Sequence, residues 1–282
     1  MRERYIVGLV GAGIGTSLSP ALHEREAAAL DLDYAYRLID IEERGLGPAD
    51  VADVLARARR AGFRGLNVTH PCKQAVVPHL DDLSDDAAGL GAVNTVVFDG
   101  DRATGHNTDT TGFAESFRRG LPDAGLEHVV LLGAGGAGTA VAYAALRLGV
   151  EHLTIVDVDR ERAEACAARL GSDRASAGSL DALADADGLV HATPTGMEGH
   201  PGLPLDDDFL RPDLWVAEVV YRPLETELLQ RARELGCRTL NGGGMAVFQA
   251  ADAFELFTGV EPDRERMLRH FAELAGQPVE AG

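Results

Sequence analysis

The chain has 282 residues, of which 45% are hydrophobic, and it carries a formal net charge of −19. This length is sufficient for two domains with separate cores, and the mean hydropathy of −0.06 is typical of a globular protein. The negative charge argues against binding to nucleic acid backbones or anionic membranes through a general field, but it permits a local pocket for one small anion.

Three cysteines, at Cys72, Cys166 and Cys237, stand far apart in the sequence. They form neither a disulfide framework nor a zinc-binding pattern, and they suit a reducing cytoplasm. No apolar stretch is long enough to span a bilayer. The first residues lead into only a short apolar run, so we expect no signal peptide. The sequence therefore predicts a cytoplasmic protein, and it contains no visible cluster of metal ligands.

The first part of the chain alternates between strand and helix patterns. Residues 5–10, 34–39 and 65–68 are predicted strands, and residues 48–61 have the apolar spacing of a helix. Strands that alternate with helices predict parallel pairing.

A glycine-rich turn, residues 11–15, follows the first predicted strand. Its third glycine is misplaced for a G-x-G-x-x-G dinucleotide loop, so we reject that interpretation. The turn leads to Ser17 and Ser19, and Pro20 suits the first turn of a helix with Ser19 as its N-cap. Hydroxyl groups at a helix N-terminus also bind carboxylates. Capping alone would explain Ser19, but it explains Ser17 less well.

Lys73 is the only lysine, and every other residue in the Lys and Arg count is an arginine. An ammonium group can be tuned to release its proton, whereas a guanidinium group cannot. The single lysine therefore indicates a site that needs a removable proton, and the alternative is an arbitrary surface position. Thr69 and Lys73 follow the carboxyl end of a predicted strand, where ligands collect in open α/β sheets.

The next predicted strand, residues 91–98, contains a polar break at Asn94 and Thr95. Asn is unfavourable inside a strand, so the break is either a turn or bulge, or an amide directed at a ligand. Residues 102–105 are a possible short partner strand. Asp109 then precedes a predicted helix to residue 119, and taken alone it is best interpreted as a helix cap.

A second glycine motif follows the predicted buried strand 129–132 and precedes an alanine-rich helix to residue 148. This is G-x-G-x-x-G in its required setting. Its first glycine allows the tight turn, the second admits the pyrophosphate, and the third lets helix and strand pack closely.

Asp157 ends the next predicted strand, residues 153–156, and lies 24 residues after Gly133. This position fits the acid that bonds the adenosine ribose, and a carboxylate there favours NAD and repels the extra phosphate of NADP. Arg160 and Arg162 would soften that repulsion, so NADP is possible but less favoured. Asp157 could instead cap the following helix, although Asp159 is better placed for that.

The remaining elements continue the alternation to the C-terminus. Strands are predicted at 189–192, 215–220 and 239–240, helices at 226–235, 246–257 and 264–274, and a flexible crossing that is the best hinge candidate at 241–245.

Several separate motifs, in this order, resemble those of the shikimate and quinate/shikimate dehydrogenases over nearly the whole chain. The matching segments are 17–20 with His23, 67–73, 91–95, 105–109, the glycine loop 133–138, and 244–245 with Gln249. The resemblance implies an α/β fold of two domains with a cleft between them. A substrate-binding catalytic domain would span residues 1–105 and be completed by 243–282, and a Rossmann-type NAD domain would span 106–242.

The resemblance also implies residue roles. Lys73 and Asp109 would be the catalytic pair, with Lys73 as acid/base. The substrate-binding residues would be Ser17 and Ser19 for a carboxylate, and Thr69, Lys73, Asn94, Asp109 and Gln249 for ring hydroxyls. The cofactor-binding residues would be Gly133, Gly135, Gly136, Ala137, Gly138, Asp157, Arg162, Thr193, Pro194, Met197, Val219 and Met245.

The expected activity is hydride transfer between NAD and a ring hydroxyl of quinate or shikimate, by a monomer or homodimer. Thr16 and Glu24, where many members have histidine and asparagine, resemble the NAD-preferring quinate/shikimate subgroup, as does Asp157. Some quinate-using relatives carry threonine at the position of Ser19, so substrate preference stays open.

Other activities stay open. A related dehydrogenase acting on folate-bound one-carbon units is one alternative. An amino analogue of shikimate or quinate is harder to exclude, since it would use the same carboxylate and hydroxyl contacts. A catalytically idle NAD-binding regulator would have a damaged catalytic pair, whereas Lys73 and Asp109 are both present.

Overall fold

A computed structural model describes residues 3–276. The last part of the predicted substrate domain, residues 277–282, lies outside the described residues. The described chain forms two compact units, one from residues 3–108 and Gln249–Leu274, and the other from Asp109–Phe248 with residues 275–276. The two-part α/β architecture predicted from the sequence is confirmed.

The strands are β1 Arg4–Gly11, β2 Asp33–Asp40, β3 Gly65–Val68, β4 Asp82–Leu83, β5 Thr95–Asp99, β6 Arg102–His106, β7 His128–Leu132, β8 His152–Val156, β9 Ala175–Ala177, β10 Gly188–His191, β11 Trp215–Glu218 and β12 Arg238–Leu240. The α-helices are α1 Ser19–Ala29, α2 Val51–Arg60, α3 Cys72–Ala75, α4 Asp85–Leu90, α5 Thr108–Gly120, α6 Gly136–Leu148, α7 Arg160–Leu170, α8 Glu227–Glu234, α9 Gly243–Thr258 and α10 Arg264–Ala275. Among these, no helix is both long and apolar enough to cross a membrane.

The first unit contains a mixed sheet with the strand order β2-β1-β3-β5-β6-β4. The predicted parallel pairing of β1 with β2 and β3 is confirmed, and β5 runs antiparallel to β3 and β6. One face of β1 packs with Ala253 and Phe257 of α9. The other face contributes Val10 to a cluster with Val51 and Val54 of α2. Both faces of β1 are therefore covered, as its continuous apolar run requires.

The second unit contains a fully parallel sheet with the order β12-β11-β10-β7-β8-β9. Alternate residues of β7 point to opposite faces, so Val129 belongs to one buried cluster and Val130 to the other. The chain order reverses between β7 and β10. This is the doubly wound arrangement in which ligands bind beyond the carboxyl ends of the strands at the reversal.

Two predicted boundaries differ from the structure. β5 begins at Thr95 rather than residue 91, because Gly91 ends α4 in a left-handed conformation with φ of 60°. The predicted crossing 241–245 is shorter than expected, since α9 already begins at Gly243. The Asn241 Oδ1 atom accepts a hydrogen bond from the backbone N–H of Gly243 at 3.1 Å, which fixes the start of that helix.

Candidate active site

In the first unit, two loops leave the carboxyl ends of the adjacent parallel strands β1 and β3. The backbone N–H of Thr69 donates to the carbonyl of Val10 at 2.9 Å. A methyl group at Gly11 would lie 2.3 Å from the Cγ2 atom of Thr69, so only glycine permits this approach. The loop that leads to Ser17 and Ser19 therefore starts beside the loop that leads to Lys73.

The carboxylate of Asp40, at the end of β2, holds the first of these loops. Its Oδ2 atom accepts from the N–H of Ile14 at 2.9 Å, and its Oδ1 atom accepts from the N–H groups of Gly13 at 3.3 Å and Glu42 at 3.0 Å. Burial alone would raise the pKa of Asp40, but hydrogen bonds from the N–H groups of Ile14, Glu42, Glu43 and Gly13 together lower the pKa below its ordinary value. A residue that the sequence did not single out thus orders the loop.

Ser17 and Ser19 stand together at the start of α1, and both are half-buried. Their Oγ atoms are 3.2 Å apart, and the N–H of Ser19 donates to the Oγ of Ser17 at 3.3 Å. The prediction that Ser19 is the N-cap is wrong, because Leu18 occupies that position and Ser19 is already helical. Ser17 instead accepts from a helix N–H, and the hydroxyl pair lies at a helix N-terminus, where anions are favoured.

Lys73 lies on α3, the short helix after β3, and is half-buried. Its carbonyl accepts a hydrogen bond from the N–H of Val93 at 2.9 Å. The carbonyl of Thr69 accepts from the N–H of Cys72 at 2.8 Å, which makes the turn from β3 into α3. Backbone bonds therefore link the Lys73 segment to the chain that leads to Asn94.

The polar break at Asn94 belongs to a buried hydrogen-bond network. Asn94 Oδ1 accepts from the backbone N–H of Thr108 at 2.8 Å and from Thr95 Oγ1 at 3.0 Å, and Asn94 Nδ2 donates to Thr108 Oγ1 at 2.9 Å. Asn67 Nδ2 donates to Thr95 Oγ1 at 3.0 Å. Tyr36 donates its hydroxyl to Asn67 Oδ1 at 2.8 Å. The network sets the orientation of the Asn94 amide, because its oxygen must face two donors.

Two further predicted residues lie on helices at the limits of the units. Asp109 is in the first turn of α5, one residue inside its start, and is 7% exposed. It belongs to the second unit, whereas Lys73 and Gln249 belong to the first. Gln249 is half-buried on α9.

In the second unit, the glycine loop joins β7 to α6 at the reversal of the sheet. Gly133 has φ of 108°, which favours glycine. A methyl at Gly138 would lie 1.9 Å from the carbonyl oxygen of Gly133, whereas one at Gly135 would meet no described atom within 4 Å. The third glycine thus permits close packing, and the second leaves the helix N-terminus approachable by a pyrophosphate.

Asp157 follows β8, and its side chain is 6% exposed. Its Oδ2 atom accepts from the N–H of Ala134 in the glycine loop at 2.8 Å, and its Oδ1 atom accepts from the N–H of Asp159 at 3.0 Å. The guanidinium of Arg162 lies 3.7 Å from Asp157 Oδ1. Asp159, rather than Asp157, is the N-cap of α7, so the carboxylate of Asp157 is not used as the cap of that helix.

The loop after β10, which carries Thr193, Pro194 and Met197, lies beside the glycine loop. The N–H of Ala192 donates to the carbonyl of Leu132 at 2.8 Å, and a methyl on Gly133 would be 2.8 Å from the Ala192 carbonyl. Met197 is 38% exposed. The structure thus brings these two predicted cofactor segments together.

Two other predicted cofactor residues have different surroundings. Val219 packs against a buried cluster of the second unit, and its N–H donates to the His191 carbonyl at 2.9 Å. Met245 is 7% exposed and belongs to the same cluster. Across residues 3–276, no group of three or more His, Cys, Asp and Glu side chains is arranged to hold a metal ion.

Comparisons with known proteins match both ends of the chain to the same family. A model described as the shikimate dehydrogenase substrate binding domain matches residues 9–96, and one described as the shikimate 5'-dehydrogenase C-terminal domain matches residues 242–270.

Individual relatives cover nearly the whole chain. A shikimate dehydrogenase (NADP(+)) from Streptomyces avermitilis is 64% identical over 98% of this chain and 97% of its own length. A quinate/shikimate dehydrogenase (NAD(+)) from Corynebacterium efficiens is 50% identical, over 96% of this chain and 99% of its own. The structure of quinate dehydrogenase from Corynebacterium glutamicum in complex with NAD superimposes with a TM-score of 0.90 at 47% identity, over 96% of this chain and 99% of that chain. The chain therefore belongs to the shikimate and quinate/shikimate dehydrogenase family of oxidoreductases.

Proposed function

We propose that the protein transfers hydride between NAD and a ring hydroxyl of quinate or shikimate, with 3-dehydroquinate or 3-dehydroshikimate as the ketone partner. The observation that carries the proposal is that two loops leave the adjacent carboxyl ends of β1 and β3. One leads to a hydroxyl pair at a helix N-terminus, and the other leads to the single lysine. This combination suits a substrate that has both a carboxylate and a reactive hydroxyl.

In the proposed mechanism, Lys73 accepts the proton of the substrate hydroxyl, and its charge stabilises the alkoxide that develops. Asp109 orients the ammonium group and the hydroxyl. Bound NAD supplies the hydride acceptor. In the reverse direction, Lys73 donates the proton to the carbonyl oxygen. No step requires a metal ion.

Ser17 and Ser19 are proposed to bind the substrate carboxylate, and Thr69, Asn94, Asp109 and Gln249 its ring hydroxyls. For Asn94, the proposal is supported by the fixed orientation of its amide, since the oxygen faces Thr108 and Thr95 and the nitrogen is the donor. An ordered amide selects for an oxygen at one position of the ring.

We further propose that NAD is preferred over NADP. The dinucleotide would be held by the glycine loop, Asp157 and Arg162, and by the segments of Thr193 to Met197, Val219 and Met245. The carboxylate of Asp157 opposes a ribose phosphate, but Arg162 at 3.7 Å offsets part of that charge. We also propose the domain limits 1–105 with 243–282, and 106–242, and a cytoplasmic location, which the three unpaired cysteines support.

The test is the initial rate of NADH formation with quinate and with shikimate, each repeated with NADP. Faster NAD-linked oxidation of either acid supports the proposal, and the quinate to shikimate ratio gives the preferred substrate. If the enzyme turns over with NADP but not with NAD, the proposed preference for NAD is wrong. If neither acid is oxidised while NADH still binds, the proposed substrate is wrong, and an amino analogue or a regulatory role becomes the better explanation.

A further inference from the structure

A buried pair of ionisable side chains, His191 and Glu218, lies at the carboxyl ends of β10 and β11. The two side chains are 0% and 2% exposed, and His191 Nδ1 is 2.9 Å from both carboxylate oxygens of Glu218. Glu218 also accepts hydrogen bonds from the backbone N–H of Val220 at 2.9 Å and from the hydroxyl of Thr226 at 3.1 Å. The sequence-based assignment gave neither member of the pair a role.

The donors around Glu218 determine the hydrogen-bond roles of the imidazole. The carboxylate of Glu218 can only accept, so Nδ1 of His191 is the donor in their hydrogen bond. A neutral imidazole that donates at Nδ1 accepts at Nε2. His191 Nε2 is hydrogen-bonded to the Oγ1 atom of Thr193. That oxygen also accepts from the N–H of Thr195 at 3.3 Å. With a neutral imidazole, the hydroxyl proton of Thr193 points to His191 Nε2, and Thr193 Oγ1 is left to accept a further hydrogen bond.

The same pair fixes two segments at the end of the sheet. Through His191 Nε2 it holds the Thr193 loop beside the glycine loop, and through the N–H of Val220 it holds the turn after β11. Thr226, which bonds Glu218, is the N-cap of α8. Because buried polar groups need hydrogen-bond partners, a shift of either segment would leave part of this buried network without partners.

We propose that His191 and Glu218 are positioning residues for the dinucleotide, acting through Thr193. They fix the Thr193 hydroxyl as an acceptor, which suits an N–H or O–H group of the cofactor, such as the carboxamide or a ribose hydroxyl, and not a phosphate oxygen. This inference rests on the proposed function, since it assumes that the Thr193 loop binds a dinucleotide.

Two substitutions of His191 separate positioning from stability. The amide nitrogen of Asn reaches the place of Nδ1, so His191→Asn keeps the donor to Glu218 and loses the acceptor for Thr193. The longer His191→Gln places an amide oxygen near the position of Nε2, so it keeps the acceptor and leaves Glu218 without its imidazole donor. We therefore expect His191→Gln to have the higher cofactor affinity of the two variants and His191→Asn to have the higher thermal stability.

The measurement is a fluorescence titration with NADH and NADPH, which needs no turnover, together with KM, kcat and the thermal unfolding midpoint. We expect His191→Asn to weaken NADH binding by about fivefold to tenfold, the effect of one hydrogen bond. The KM for quinate or shikimate should stay unchanged. His191→Gln should bind NADH more tightly than His191→Asn but unfold at a lower temperature. Thr193→Val should weaken NADH binding like His191→Asn, and Thr193→Ser should restore it.

A matched control lies at the opposite end of the same sheet. His128, at the start of β7, bonds Thr154 Oγ1 through its Nε2 atom at 2.9 Å, so His128→Asn removes a comparable contact away from the strand ends. It should leave NADH binding unchanged. The inference is overturned if NADH affinity follows the unfolding midpoint through all variants, or if His128→Asn weakens binding as much as His191→Asn. A wild-type protein that binds neither NADH nor NADPH would refute the proposed function itself, and with it this inference.

Discussion

The proposed chemistry depends on one ammonium group that arginine cannot replace. Lys73 is half-buried on α3 and is the only lysine in the chain. Guanidinium keeps the positive charge but holds its proton at any physiological pH. Charge and proton exchange can therefore be separated by one substitution.

We expect Lys73→Arg to fold normally and to lose turnover by about a hundredfold or more, because general acid/base catalysis is removed while the charge is kept. The measurement is kcat for NAD-linked oxidation of quinate or shikimate, with the thermal unfolding midpoint recorded alongside. Arg25→Lys, at an exposed ion pair with Glu273, is the control and should keep full activity. Near-normal kcat in Lys73→Arg would show that Lys73 does not exchange the proton.

The proposed preference for NAD over NADP also depends on a single residue, Asp157. Asp157 presents a carboxylate held by Ala134 and Asp159, with Arg162 close by. We expect Asp157→Ser to narrow the ratio of NAD to NADP efficiency by about tenfold, since it removes a repulsive charge. The measurement is kcat/KM with each cofactor. Asp159→Ser, which alters the cap of α7 instead, should leave the ratio near the wild-type value, and an equal change in both variants would rule out a specific role for Asp157.

Among the elements, the loop between β1 and α1 is ordered by Asp40, whose carboxylate bonds the N–H of Ile14, 26 residues earlier in the sequence. We expect Asp40→Asn to raise the substrate KM by about fivefold, because the amide cannot accept the full set of N–H bonds and the Ser17 loop loosens. The KM for NAD should not change. Asp33→Asn, at the other end of β2 in an exposed pair with Arg4, is the control, and an unchanged substrate KM in Asp40→Asn would contradict the role of the loop.

The Asp40→Asn substitution should also change how the thermal unfolding midpoint depends on pH. Because folding lowers the pKa of Asp40, its carboxylate stabilises the folded state above the unfolded-state pKa of about 3.9. That contribution is lost as the pH falls through the lower folded-state pKa. The unfolding midpoints of wild type and Asp40→Asn should therefore differ at pH 7 and converge on acidification below about pH 4. A gap that widens on acidification would contradict this sign.

Elements with strong apolar patterns were predicted from the sequence, whereas long-range polar contacts were not. β3 and the start of α7 follow directly from apolar runs and turn residues. The role of Asp40 and the network from Tyr36 to Asn94 join segments distant in sequence, and a strand pattern does not reveal which buried polar groups will pair. Thr108, whose N–H faces Asn94, explains the polar break that the sequence left open between a turn and a ligand contact.

In the molecule as a whole, a partly buried ion pair joins the first and last helices of the first unit. Glu26 of α1 is 0% exposed, and its carboxylate accepts from the guanidinium of Arg266 of α10 at 2.6 and 2.8 Å. The N–H of Asp263 donates to the same carboxylate at 2.8 Å. A bidentate ion pair thus connects two residues that are 240 positions apart in the sequence.

We expect Arg266→Met to lower the free energy of unfolding by about 2–4 kcal/mol, because it leaves the buried Glu26 carboxylate without its charge partner. The measurement is urea-induced unfolding. Arg160→Met, which breaks the exposed pair with Glu164, should cost less than about 1 kcal/mol. The double variant Glu26→Gln with Arg266→Met should recover part of the loss, and a double variant less stable than Arg266→Met would argue against a buried unpaired charge as the cause.

The division of the first unit between both ends of the chain also bears on protein synthesis. The face of β1 that carries Val7 and Leu9 is covered by Ala253 and Phe257, which a ribosome adds only after all of Asp109–Phe248. The main part of the second unit, Asp109–Phe248, is continuous in sequence and contains its whole sheet. Domains usually fold in the order in which they emerge, but here the unit that begins first is completed only after Asp109–Phe248 of the second unit has been made. Until α9 leaves the ribosome, the face of β1 that carries Val7 and Leu9 therefore lacks the residues that cover it in the folded protein.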